Sequence, residues 1–207
     1  MNFDVNDAKE WLKKANEKIA DNKQLLTKLD QVIGDGDHGI NMARGFNEAA
    51  QTVNEKEYDN VSDVFKDIAM TIMSKVGGAA GPLYGTAFLR LSFSLKGKDS
   101  IDYKDLVKGL SDGLTGIKQR GRSKVGEKTL VDVWEPVINE MSETIEAQPP
   151  QIKDTAKTAM EKTKEIMATK GRAAYFKEKS IGHIDPGSMS SYYLFLALAE
   201  VLEGRQS

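Results

Sequence analysis

Apolar residues recur every three to four positions along nearly the whole chain and almost nowhere every second position. That spacing constrains the fold more than any other feature, because a side-chain period of 3.6 marks one face of a helix and a period of two marks a strand. Val5, Ala8, Trp11, Leu12, Ala15 and Ile19 make one such face behind Asp4, a residue suited to capping a helix N-terminus. Asp21 to Leu29 adds a further turn or two. The same period predicts helices over Ile40 to Asn54, Ser62 to Val76, Leu83 to Leu95, Asp102 or Tyr103 to Gln119, Leu130 to Ala147, Gln151 to Thr169 and Ser188 to Leu202. Pro82 suits the first position of its helix, whereas Gln148-Pro149-Pro150 is expected to end the one before it. Gly109, Gly113 and Gly116 imply close packing on a neighbouring helix. Only Leu89 to Leu95 alternates with period two, inside a longer helical pattern, and Lys170 to Pro186 reads as irregular. The expected class is all-α, with about eight helices in a single domain spanning residues 1–207.

Composition then removes whole classes of function. The chain has 207 residues, 29% of them charged, and a formal net charge of -2, so it carries no basic footprint for nucleic acid. No apolar run approaches the ~18 residues of a membrane span, and the first twenty residues lack the apolar core of a signal peptide. The absence of cysteine excludes disulfides, thiol nucleophiles and thiolate-bound zinc, and it fits a reducing cytoplasm.

Chemistry concentrates in the loops. Asp30, Asp35, Asp37 and His38 fall within nine positions, spaced by Gly34, Gly36 and Gly39. Two unit charges 4 Å apart repel by about 1 kcal/mol in water and about 4 kcal/mol near a protein surface. A hard cation, Mg²⁺ above all, removes that repulsion and accepts carboxylate oxygens, with a phosphate on its outer side. The segment also matches G-x-G-x-x-G, but no strand precedes it and no βαβ unit surrounds it, so the dinucleotide reading fails. An EF-hand fails as well, since Gly39 stands where a third ligand belongs.

Other loops stay open between two readings. Gly77-Gly78-Ala79-Ala80-Gly81-Pro82 is a phosphate cradle or a tight turn between helices. Arg120 to Thr129, with Leu130, is a nucleotide rim or a charged surface loop. Arg172 neutralises a transferring phosphoryl group or is a surface arginine, and Ser180 to Gly187 is part of a site or a turn before the last helix.

Together the loops Gly34-Asp35-Gly36-Asp37-His38-Gly39, Gly77 to Gly85, Gly126-Glu127-Lys128-Thr129 and Ser180-Ile181-Gly182-His183-Ile184-Asp185-Pro186-Gly187 resemble those of the nucleotide-binding L subunit of dihydroxyacetone kinases. The resemblance runs in order over nearly the whole chain. It implies a closed barrel of eight antiparallel amphipathic helices that binds ADP or ATP at one end, with two Mg²⁺ ions joining Asp30, Asp35 and Asp37 to the phosphates. It also implies nucleotide contacts from His38, Gly39, Ile40, Asn41, Ala79, Ala80, Gly121, Leu130, Arg172, Asp185, Pro186 and Gly187, with Leu130 against the base. Many relatives carry serine where Ala80 stands.

The chain opens at Met1 on the first predicted helix, which under this resemblance implies a separate subunit of the phosphotransferase-system type. Its partners would be a dihydroxyacetone-binding kinase subunit and a phosphohistidine-carrying subunit. ADP would be held as a cofactor and rephosphorylated in place, and the acceptor hydroxyl and any general base would belong to the partner. Two alternatives remain at this stage: a subunit that exchanges ATP freely, and a nucleotide-dependent regulatory protein. The oligomeric state, including a homodimer, is left open.

Overall fold

The structure is a computed structural model that describes residues 2–98 and 100–205; Met1, Asp99, Gln206 and Ser207 of the expected 1–207 domain lie outside the described residues. Nine α-helices are present among the described residues: α1 Val5–Asp21, α2 Lys23–Ile33, α3 His38–Asn54, α4 Val61–Lys75, α5 Ala80–Ser94, α6 Tyr103–Gly121, α7 Val131–Ser142, α8 Pro149–Lys162 and α9 Pro186–Gly204. Short 3₁₀ segments follow at Thr163–Glu165 and Arg172–Ser180.

Eight of these helices form a closed ring. Each of α3 to α8 packs on the next in sequence, α1 packs on α3, and α9 returns onto α1. Helix α2 stays outside the ring, against α3 and α9. The apolar faces meet in one continuous interior. Trp11, Phe65 and Phe88 pack ring against ring within it, as do Tyr84, Trp134 and Phe195. All six are essentially inaccessible to water. Truncating such a residue typically costs about 3–5 kcal/mol.

The expected close packing of α6 is present. A Cβ added at Gly113 would lie 3.0 Å from the Ala87 carbonyl oxygen of α5. The ring closes with polar contacts as well: the Trp11 indole N–H donates to the Leu194 carbonyl at 2.9 Å, and the Arg205 guanidinium pairs with Asp4 and Asp7.

Several boundaries differ from the sequence expectation. Helix α2 continues to Ile33 because that side chain is buried, so Asp30 lies on a helix rather than in the loop. Helix α5 starts at Ala80, which makes Pro82 its third residue. Pro149 and Pro150 begin α8 instead of ending α7, which already stops at Ser142. Helix α8 ends at Lys162, since the backbone beyond it is drawn into a different set of hydrogen bonds, described below.

Candidate functional site

Alternation around the ring sets the direction of every helix. Helices α3, α5, α7 and α9 begin at the same end, and the residues at their starts line one cleft: Asp37 and His38, Ala79 and Ala80, Thr129 and Leu130, and Asp185 to Gly187. Each helix N-terminus carries about half a unit of positive charge and backbone N–H groups with no intrahelical partner. Four of them facing one cavity make a strong anion site. Three of the four have no capping hydrogen bond from their own N-cap side chain, namely α3 at Asp37, α5 at Ala79 and α7 at Leu130. Gly78 turns the chain into α5 with φ +65, a conformation that favours glycine, and faces open space.

One wall of the cleft is acidic. Asp30, Asp35 and Asp37 bring carboxylate oxygens within 4.8 Å of one another. Asp30 reaches this position from the last turn of α2. Its Oδ2 accepts the backbone N–H groups of Asp37 at 2.9 Å and His38 at 3.1 Å, so a residue of α2 caps α3. The cluster offers hard oxygen donors at a spacing one cation can span, which is the donor set of Mg²⁺ rather than of a softer metal.

The opposite wall is basic and comes from distant parts of the chain. Arg172 leads the second 3₁₀ segment and pairs with Asp35 across the cleft. Lys170 and Gly171 stand beside it. Lys128, 1% exposed, sits below with its backbone at φ 61. Its ammonium donates to the carbonyls of Thr163 at 2.5 Å, Ile166 at 3.2 Å and His183. Burial pulls the Lys128 amine below the usual lysine range, against the opposing charges of Asp185 and Asp132.

Beneath the cleft a polar network ties the four helix starts together. The Tyr84 hydroxyl of α5 lies 2.8 Å from Ser190 Oγ and 2.7 Å from Ser191 Oγ of α9. Trp134 of α7 donates its indole N–H to Ser191, and His38 Nε2 of α3 meets Ser190 at 3.0 Å. Burial pushes the His38 pKa down to about 4, against the charges of Asp30 and Asp37, so the imidazole is neutral near pH 7. Burial pushes the Asp185 carboxyl up to about 7, while the Ser188 N–H it caps at 2.6 Å holds it back. The Tyr84 hydroxyl is pushed upward for the same reason.

Of the residues expected at the site, Asp30, Asp35, Asp37, His38, Asn41, Ala79, Ala80, Leu130, Arg172, Asp185, Pro186 and Gly187 line this one cleft. Gly39, Ile40 and Gly121 do not. Gly39 packs on α2, where an added Cβ would lie 2.2 Å from the Lys23 carbonyl oxygen. Ile40 points outward at 47% exposure, and Gly121 ends α6 beside Leu83. Several lining residues had no role of their own in the sequence reading, among them Tyr84, read as helix, Lys128, read as part of a loop, and Ile33, Leu83, Lys170, Gly171 and Ala173. Glycine-rich flanks on Tyr84 and Lys128 were the available signal.

The chain matches known proteins over nearly its whole length. The DAK2 domain matches residues 32–200. Over 200 residues the chain is 50% identical to the "PEP-dependent dihydroxyacetone kinase 1, ADP-binding subunit DhaL" of Listeria innocua, covering 97% of this chain and 98% of that one. It is 49% identical to the "PTS-dependent dihydroxyacetone kinase, ADP-binding subunit DhaL" of Lactococcus lactis, covering 93% and 95%. The corresponding Escherichia coli subunit is 35% identical, covering 91% and 93%. Among solved structures, the dihydroxyacetone kinase from C. freundii in complex with AMP-PNP and Mg²⁺ has the same fold with a TM-score of 0.74 at 25% identity. That match covers 95% of this chain and 33% of the longer one.

Proposed function

The chain belongs to the DAK2 domain family, and on that premise we propose that it is the ADP-binding subunit of a phosphoenolpyruvate-dependent dihydroxyacetone kinase. In this reading a phosphohistidine carrier subunit phosphorylates ADP held in the cleft, and the γ-phosphoryl group then passes to dihydroxyacetone on a partner subunit. The carrying observation is the geometry of the cleft: three convergent carboxylates and four helix N-termini at one end of the barrel. Two near-full-length relatives named as ADP-binding subunits support the assignment.

The finer parts of the proposal are these. Asp30, Asp35 and Asp37 hold two Mg²⁺ ions, which supply charge neutralisation for the attacking and leaving oxygens. The N-termini of α3, α5 and α9 hold the phosphates through backbone N–H groups. Leu130 contacts the base. Arg172, once drawn from Asp35 toward the phosphoryl group, offsets its charge. None of these residues acts as nucleophile or base; the chain positions and neutralises, and the transition state of phosphoryl transfer asks for little else from the protein. The two partner subunits and a cytoplasmic location belong to the same proposal.

The test is whether the purified protein keeps ADP and Mg²⁺ through exhaustive dialysis, and whether the reconstituted subunits form dihydroxyacetone phosphate from phosphoenolpyruvate. Retention with transfer supports the reading. Rapid loss of ADP with turnover on added ATP would replace it with a freely exchanging kinase subunit.

A further inference from the structure

A lysine lining a phosphate cleft ordinarily offers its ammonium to the phosphate. Lys128 cannot do so in this arrangement. An ammonium has three donors, and here three carbonyl oxygens take them: Thr163 and Ile166 just after α8, and His183 just before α9. These acceptors lie at the two roots of the segment 163–183, which carries Arg172 at its middle and lays it over the cleft against Asp35.

The same roots are stitched further. Gly182 N–H donates to the Lys164 carbonyl at 2.7 Å, Asp185 N–H to Thr163 Oγ1 at 3.1 Å, and Thr169 N–H to the carbonyl of Glu127, the neighbour of Lys128. By contrast, the apolar anchoring of the segment is thin. Ile33, Ala168 and Ala173, with Phe176 against them, form a small cluster separate from the barrel interior. That cluster is small, and the one buried ammonium makes charge-assisted bonds to both roots at once.

We propose that Lys128 is a positioning residue for the known chemistry of the cleft: it bolts both roots of segment 163–183 to the start of α7 and thereby sets where Arg172 meets the phosphoryl group. The proposal rests on the reading of Arg172 as a phosphate contact. Lys128 acts through Arg172 and does not touch the nucleotide.

A double-variant cycle on the reconstituted kinase tests this, with dihydroxyacetone phosphate formation as the readout. Removing a transition-state donor typically costs about 10²-fold or more, so Arg172→Ala should lower kcat/KM by about 100-fold. Lys128→Met should lower it by about 30-fold, and the double variant should stay near 100-fold, because groups acting as one unit are not additive. A double variant near 3,000-fold, the product of the singles, overturns the proposal. Normal turnover in Arg172→Ala alone overturns the functional reading of Arg172, and the proposal with it. Hydrogen exchange should rise in residues 163–183 of Lys128→Met and not across α3 to α6; a rise throughout the barrel would make Lys128 a general structural residue instead. If Lys128→Met does not fold, the unmutated protein decides the matter by limited acetylation. Lys128 should resist acetylation while the exposed Lys164 and Lys177 react, and reaction of Lys128 at their rate overturns the proposal.

Discussion

The two ends of the barrel treat their helix starts differently. At the end away from the cleft, α1, α4 and α6 begin with Asp4, Asn60 and Asp102, each accepting a backbone N–H from the first turn of its own helix. Asp4 and Asp7 complete a reciprocal capping box, and Arg205 pairs with both. At the cleft end, α3, α5 and α7 lack that bond. Three of the four far-end starts are finished by their own N-cap side chains, α8 beginning instead on Pro149 and Pro150. At the cleft end only α9 is, while α3 is capped from α2 by Asp30 and the start of α5 is left open to a ligand. A Ser, Thr, Asn or Asp cap typically contributes about 1 kcal/mol, so the cleft end forgoes stability in exchange for an anion site.

The contrast breaks most visibly at the carboxylates. Asp35→Ala and Asp37→Ala should each abolish phosphoryl transfer, by about 10³-fold or more, with the circular dichroism of the helices unchanged. Asp30→Ala should abolish transfer and also lower stability by about 1–2 kcal/mol in urea unfolding, because its carboxylate caps α3 as well. Equal stability of Asp30→Ala and Asp35→Ala would separate the cap from the ligand and break the comparison.

Asp185 sharpens it. It is the one self-capping residue at the cleft end, and its carboxyl is pushed up to about 7 by burial. Burial pushes the carboxyl of Asp4, half-buried at the far end beside Arg205, upward too, but the N–H groups of Asp7 and Asn6 and the Arg205 guanidinium together outweigh it and hold the group below the usual range. The signs are opposite. Between the unfolded carboxyl value near 4 and about 7, folded Asp185 keeps a proton that the unfolded chain has lost. Its contribution to stability therefore falls as pH rises through that window, by at most about 1.4 kcal/mol per pH unit. Asp4 contributes stability that is present at neutral pH and fades as pH drops below the ordinary carboxyl range. Urea unfolding between pH 4 and 8 should show a downward slope that Asp185→Asn removes, and a slope left unchanged by that substitution would contradict the burial argument.

A smaller effect should follow from giving the cleft end a charge of the far-end kind. Ala79→Asp places a carboxylate at the start of α5, where it favours the helix dipole by about 0.3–1 kcal/mol. It also repels phosphate. The variant should melt slightly higher without nucleotide and release ADP about tenfold faster; tighter retention would show that the α5 start does not face phosphate. Smallest of all, Asn60→Ala and Asp102→Ala should each cost about 1 kcal/mol in thermal unfolding and leave kcat unchanged.

How much of this was legible in the sequence follows from where the information sits. The acidic wall was readable because Asp30, Asp35 and Asp37 crowd into eight positions and carry their chemistry in their side chains. The helical faces were readable because burial imposes a period. Asp30 was misplaced in the loop because Asp30 and Gln31 interrupt the apolar pattern two residues before Ile33, which is buried. Lys128 was missed for a different reason. Its partners are backbone carbonyls, which every residue has, so nothing in Thr163, Ile166 or His183 advertises the contact. The early end of α8 has the same cause, since Met167 looks apolar but is 40% exposed while the preceding carbonyls turn toward Lys128. The smallness of Gly39 also serves the approach of α2 to α3, a packing role that the sequence did not show.

The closed ring carries a consequence for how the molecule comes apart. Seven of its joints lie between helices that are neighbours in the ring and near one another in the chain; the eighth joins α9 to α1, where Trp11 meets Leu194 across 183 positions. Near joints form fast, and a distant one waits for a long loop to close. The α9–α1 seam is therefore the joint with the longest loop to close. An open ring would bare the apolar faces of α1 and α9 together, a C-shaped species with two sticky edges, and the Arg205 and Lys18 ion pairs across that seam act as latches against it.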